Sequence, residues 1–294
     1  MNPKIRGYLQ LCRPANLPTA AADVLAGLAI AGFFVNQISL FNSSGWLLVF
    51  ASIFLYAGGV VLNDVFDVEI DKIERPERPI SSGLIKLQDA RLFGFCLLLL
   101  GVGGAFLSTI ESGLVALILA VLILTYDAFS KNHPFLGPLN MGLCRGCNLL
   151  MGISVFGNFD KLEYIIIPVI YIAAITRVSQ GEVHGKNKRN IVLAGILYAV
   201  VVFLLMYFNN ALLSLAIYSY VFLVLFVLAI GIPLFRAFHE NTPINIKKAV
   251  KAGVISIILL DAAIAVPFSN ILIGVLILLL LPISILLSKA FAVT

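Results

Sequence analysis

The sequence predicts an all-α membrane protein, with ten transmembrane helices forming one domain over residues 1–294. Three observations predict it. Hydrophobic residues make up 61% and charged residues 12% of the 294, with a mean hydropathy of +1.04. A soluble domain is about half apolar and about a quarter charged, so a water-soluble globule is excluded. A disordered chain is excluded for want of charge, and a disulfide scaffold because four Cys is sparse for this length. The second observation is a series of apolar stretches of about 20 residues, each long enough to cross a hydrocarbon core about 30 Å thick. The third is the one-sided placement of Lys and Arg.

In chain order the apolar segments are 17–36, 45–63, 91–109, 112–127, 138–157, 162–179, 190–208, 211–235, 248–267 and 271–288. The opening MNPKIRGYLQLCRP is polar and ends in Pro14, without a small-residue cleavage site, so it does not read as a signal peptide. Lys4, Arg6 and Arg13 precede segment one, and Lys72, Arg75, Arg78, Lys86 and Arg91 separate segments two and three. Lys131 and Arg145 flank the junction of segments four and five. Arg177, Lys186, Lys188 and Arg189 lie between six and seven, and Arg236, Lys247, Lys248 and Lys251 between eight and nine. Lys289 closes the chain, and only Lys161 falls on the other side. The positive-inside rule then places both termini in the cytoplasm. The net charge of +5 is membrane topology, and no nucleic-acid partner is expected. The longer polar loops, 65–90 above all, are cytoplasmic and are where function is expected.

Segment two runs into NDVFDVEIDKIERPERPISSG. Asp64, Asp67 and Asp71 follow i, i+3, i+7, so on a helix they share one face within about 60°. Asn63 stands beside that face. Aligned carboxylates repel one another, and desolvation at a membrane edge adds to the cost. A hard cation relieves both, and Mg²⁺ commonly bridges one or two carboxylates to substrate phosphates. The plainer reading is a charged helix end balanced by Lys72 and Arg75. Arg75 and Arg78 follow closely and suit two-point phosphate contact; positive-inside anchoring explains them equally well. Pro76 and Pro79 stiffen this loop.

These residues resemble the UbiA-type intramembrane prenyltransferases. Asn63, Asp64, Asp67 and Asp71 match that family's NDxxDxxxD, and ERPERPISSG resembles its R-x-x-RP-[IL]-x-x-G. Arg13-Pro14 with Asn16-Leu17 is similar to its entry segment. YDAFSKNHPFLG resembles its Y-S-x-x-K stretch, with Tyr126 and Lys131 at the matching positions. The resemblance implies a ring of typically nine helices around a central cavity capped by cytoplasmic loops, so nine to ten helices are expected. It also implies Mg²⁺-dependent ionisation of an isoprenyl diphosphate and transfer of the isoprenyl group to a lipophilic or aromatic acceptor. On that basis Asp64, Asp67 and Asp71 are metal-binding and, with Asn63, catalytic. Arg75, Arg78, Lys131, Tyr126 and Arg177 are diphosphate-binding.

The family's second acidic motif lies between helices six and seven. That place here reads ITRVSQGEVHGKNKRN, without Asp. Ser179 and Glu182 align with it, leaving Glu182 as the metal ligand, and His184 reads either as a surface residue or as part of the site. GEVHG resembles a divergent, EboC-like branch of the family. Residues 185–189 read either as a phosphate-facing rim or as positive-inside charge. Cys144-x-x-Cys147 lacks the partners of a zinc or redox site and reads as packing. Gly101, Gly142 and Gly146 read as close helix contacts. Asp23 and Asp261 are intramembrane acids, which face a wet cavity or the protein interior.

A second functional reading is a carrier or transporter, in which the acidic stripe binds an ion or head group and no bond is made. Substrate consumption separates the two. A phospho-alcohol transferase is excluded, because Asp67 is followed by Val68 and Glu69 and not by the Gly and Ala-Arg of that motif.

Overall fold

The computed structural model describes residues 2–35, 43–182, 185–210 and 216–291. Its helices are α1 (Pro3–Leu11), α2 (Leu17–Ile30), α3 (Ser43–Phe66), α4 (Val68–Glu74), α5 (Leu87–Ser108), α6 (Ile110–Thr125) and α7 (Leu136–Ile153). They continue as α8 (Ile166–Ser179), α9 (Lys188–Asn210), α10 (Ala216–His239), α11 (Pro243–Ala265), α12 (Ile271–Leu278) and α13 (Leu280–Ala290).

Local chemistry sets several boundaries. Asn2 accepts a hydrogen bond from the Lys4 amide, with Pro3 following in the first turn of α1. Thr109 stops α5 in extended backbone and caps α6 through the Ser112 amide. Thr242 caps α11 ahead of Pro243, and Asn270 caps α12.

Nine spans among the described residues are long and apolar enough to cross a bilayer. All ten expected segments contain helix. The exception to the length criterion is the first, where α2 has 14 residues, or about 21 Å, and gives way to turns at 31–35. Large apolar side chains such as Leu99, Leu107, Phe203 and Tyr207 are mostly exposed, as expected where lipid is the solvent. The chain is an integral multi-pass membrane protein.

The short α2 is nearly enclosed, with α3, α7 and α11 packed around it. Gly27 of α2 and Gly152 of α7 abut. A methyl group on Gly27 would overlap the Leu149 carbonyl, and one on Gly152 the Val24 carbonyl. Gly142 lets α7 approach α8 at Val169 in the same way, and Gly101 lets α5 approach α3 at Leu55. One apolar cluster joins α2, α3, α5, α6 and α7, and a larger one joins α2 and α7 to the helices from α8 onward. Helices α2 and α7 therefore serve both halves.

Candidate functional site

The acidic stripe sits where α3 passes into α4. The helix is interrupted at Asp67, whose backbone lies at φ −91°, ψ 4°, so the stripe is not one unbroken helix. The hydrogen bonds nevertheless continue, from the Asp67 amide to the Asn63 carbonyl at 3.0 Å and from the Asp71 amide to the Asp67 carbonyl at 2.8 Å. The acids therefore keep their shared face.

Each acid faces a basic partner. Arg13 Nη2 donates to Asp64 Oδ1 at 2.6 Å. Arg78 Nη1 donates to Asp64 Oδ1 at 2.9 Å and to Asp71 Oδ2 at 2.6 Å. Lys131 Nζ donates to Asp67 Oδ1. Asp64 and Asp71 are buried. Arg13 holds left-handed backbone, φ 47°, at the turn between α1 and α2. Burial works against its charge, but Asp64, together with Tyr56 and Asp71, more than offsets this, and its pKa ends above the ordinary arginine value.

The other expected residues divide. Asn63 Nδ2 donates to Asp127 Oδ1 at 2.7 Å, and Tyr126 lines the adjoining cavity. Glu182 stands in the electrostatic reach of Lys247 on α11 and of Arg75 on the 65–90 loop. Burial raises its pKa above the ordinary glutamate value, with Lys247 and then Arg75 pulling the other way. Arg177 is turned away from the acids; it donates to the Pro134 carbonyl and to Asn190. The Ser179 hydroxyl donates to the Thr176 carbonyl of its own helix. Lys186 and Asn187 are tied to Asn241, and Lys188 lies over Phe238, so this rim is anchored to the loop before α11. His184 lies outside the described residues.

Behind the mouth opens a cavity of about 250 Å³. Arg13, Asn63 and Asp127 stand at one end, Leu119, Ile123 and Met141 form an apolar wall, and Ser52, Tyr56, Arg145 and Asn148 add polar groups. Arg145 corrects the sequence reading. It is not a flanking loop charge but lies midway along α7, buried against Asp23 at 2.6 Å and Thr19 at 2.6 Å. Asn148, one turn on, donates to Asp23 at 2.8 Å. Asp261 of α11 reaches the same Asp23. Sequence reasoning missed Asp127, Tyr56 and Arg145 as cavity residues. The available signal was a lone Arg inside an apolar helix with Asn three residues later.

Among the described residues no group of three or more His, Cys, Asp or Glu side chains is placed to hold a metal ion as it stands. The acids nevertheless supply oxygen donors of the right kind. One nitrogen of Arg78 already bridges Asp64 and Asp71, so a single cation reaches both. Asp64 and Asp71 fit the ion in type and are placed to share one, and Asp67 adds a further oxygen donor on the same helix face, with basic side chains as the present counter-charges.

Fold and site together define a polytopic membrane protein whose helix bundle opens at one face into an acid-and-base mouth, with a chamber behind it. Within that class the chain belongs to the UbiA prenyltransferase family, whose model matches residues 25–252. It is 38% identical over 160 residues to digeranylgeranylglyceryl phosphate synthase of Methanococcoides burtonii, covering 52% of this chain and 56% of that one. Against the synthase of Saccharolobus solfataricus the values are 33% over 177 residues, 60% and 61%. The match thus spans less than two thirds of these curated relatives. A solved structure of a digeranylgeranylglyceryl phosphate synthase superposes with a TM-score of 0.68 at 24% identity, covering 90% of this chain and 98% of that one. An Archaeoglobus fulgidus UbiA homologue bound to GPP and Mg²⁺ gives 0.58 at 19%, covering 98% and 100%.

Proposed function

We propose that this chain, as one domain, transfers an isoprenyl group from an isoprenyl diphosphate to a membrane-borne acceptor, with Mg²⁺ held by Asp64, Asp67, Asp71 and Glu182. The observation that carries this reading is the matching of three acids by three bases at the mouth, with Arg78 shared between Asp64 and Asp71. Arg13, Arg78 and Lys131 are each committed to Asp64, Asp71 or Asp67. A diphosphate entering that mouth is left unneutralised unless a divalent cation takes up the acids. Family membership and the relatives' printed activity support the same reading.

When bound, Mg²⁺ would stabilise the charge that grows on the departing diphosphate. The chain's own residues do the rest. Arg78, Arg13 and Lys131 hold phosphate oxygens, with Arg75 at the loop edge. Asn63 stays fixed by Asp127 while its neighbour Asp64 binds. The wall of Leu119, Ile123 and Met141 keeps water from the allylic carbon, and Tyr126 borders it. We place both termini and the mouth on the cytoplasmic side, as the one-sided Lys and Arg require; reporter fusions at each terminus test this.

The test of function is pyrophosphate release from geranyl diphosphate by purified protein in nanodiscs, with Mg²⁺ and with EDTA. Metal-dependent release is expected. Binding without consumption would favour a carrier.

A further inference from the structure

The chamber also constrains the acceptor, and this inference rests on the prenyl-transfer reading. Two polar atoms of its wall lack protein partners. The Tyr56 hydroxyl makes no hydrogen bond among the described residues, although its ring carries the Arg145 guanidinium at 5.4 Å. It stands in the field of both Arg13 and Arg145, between the mouth and the inner chamber. Asp127 is 4% exposed. Its Oδ1 is held by Asn63, and its Oδ2 has no partner among the described residues while the side chain lines the cavity.

The charges are already committed. Arg145 is neutralised by Asp23, and Arg13 by Asp64 or, once a cation takes that acid, by the donor diphosphate. Asp127 then adds an acid to the wall, and the two cations that act on it, Lys131 and Arg13, are committed at the mouth. A phosphate or carboxylate head placed here meets that acid without a counter-charge. A purely apolar ring leaves Tyr56 and Asp127 dry and unpaired, which is costly in a low-dielectric site. Hydroxyl groups satisfy both, one donating to Asp127 and one exchanging a hydrogen bond with Tyr56. The space of about 250 Å³ is below the roughly 300–1,000 Å³ of drug-sized sites, which suits a head group and not a whole lipid.

We propose that this chamber is the acceptor subsite and that it takes an uncharged, hydroxyl-bearing head group, with Tyr56 and Asp127 as its recognition residues.

The experiment is a saturation-transfer NMR titration of the full chain in nanodiscs. The probes are myo-inositol and glycerol as uncharged polyols, and glycerol 3-phosphate and 4-hydroxybenzoate as anions. Binding of geranyl thiolodiphosphate, a non-ionising donor analogue, is measured separately with Mg²⁺. We expect a polyol to bind at least tenfold more tightly than either anion. Tyr56→Phe should weaken polyol binding at least tenfold while the donor analogue still binds, which also shows that the variant is folded. Asp127→Asn should narrow the preference for glycerol over glycerol 3-phosphate at least tenfold. Equal or tighter binding of either anion, absence of saturable polyol binding, or an unchanged Tyr56→Phe would overturn the proposal. Failure of the donor analogue to bind wild-type protein would count against prenyl transfer; the polyol titrations read the subsite by themselves.

Discussion

The molecule contains two ionic clusters built from the same residue types, and they differ in what their charges are free to do. At the mouth, Asp64, Asp67 and Asp71 pair with Arg13, Arg78 and Lys131, whose side chains keep some solvent exposure. In the interior, Asp23 pairs with Arg145 and is joined by Thr19, Asn148 and Asp261, with Asp23 and Asp261 almost wholly buried. The mouth pairs lie on loops and helix ends, where partners can be exchanged for a ligand. The interior pair ties α7 to α2 between rigid helices, where losing one member strands a charge. Position in the bundle, more than composition, separates exchangeable ion pairs from a strut.

The sharpest break in this contrast comes from removing acids at the mouth. Asp64→Ala or Asp67→Ala should lower Mg²⁺-dependent prenyl transfer by about 10²–10³-fold, while the protein still inserts and its melting midpoint stays near wild type. Product formation and thermal unfolding, measured on the same preparation, check both halves. Arg145→Leu should do the reverse. It leaves Asp23 without its cation and should cost roughly 3–5 kcal/mol of stability, seen as lower yield and an earlier midpoint. A milder structural lesion is Gly152→Ala, which forces α7 from the Val24 carbonyl and should cost about 1–3 kcal/mol. Its unfolding curve should shift, with donor binding retained in the folded fraction.

The smallest effect concerns pH. Burial raises the Glu182 pKa, so protons compete with a metal at a higher pH than they would for an ordinary glutamate. Apparent Mg²⁺ affinity should therefore fall as the pH drops through that raised value. Glu182→Gln should bind the ion more weakly, by about tenfold, and should lose this part of the acid dependence. Mg²⁺ titrations of pyrophosphate release across pH 5–8 read it.

What was legible in the sequence was local or periodic. The i, i+3, i+7 acids are one such feature, and the structure keeps them on one face despite the interruption at Asp67. Span positions followed from hydropathy because lipid demands continuous apolar length, although α2 is shorter than its apolar segment. Partners far apart in the chain were not legible. Arg13 meets Asp64 across 51 residues, and Arg145 meets Asp23 across 122. Counting Lys and Arg by nearness to segment ends treated Arg145 as topology, whereas its burial on α7 makes it structural. Arg177 and Ser179 looked like site residues from their neighbours, yet their side chains satisfy nearby backbone carbonyls. Asp127 was hidden because a single acid beside Tyr126 gives no sign of the cavity it lines.

The central claim is that the mouth acids exist to take a divalent cation so that basic side chains can hold a diphosphate. The most direct measurement is isothermal titration of geranyl thiolodiphosphate into wild type and Asp64→Ala/Asp67→Ala protein, with and without Mg²⁺. Tight binding is expected only for wild type with Mg²⁺. Equal binding by the double variant, or binding indifferent to the metal, would contradict it.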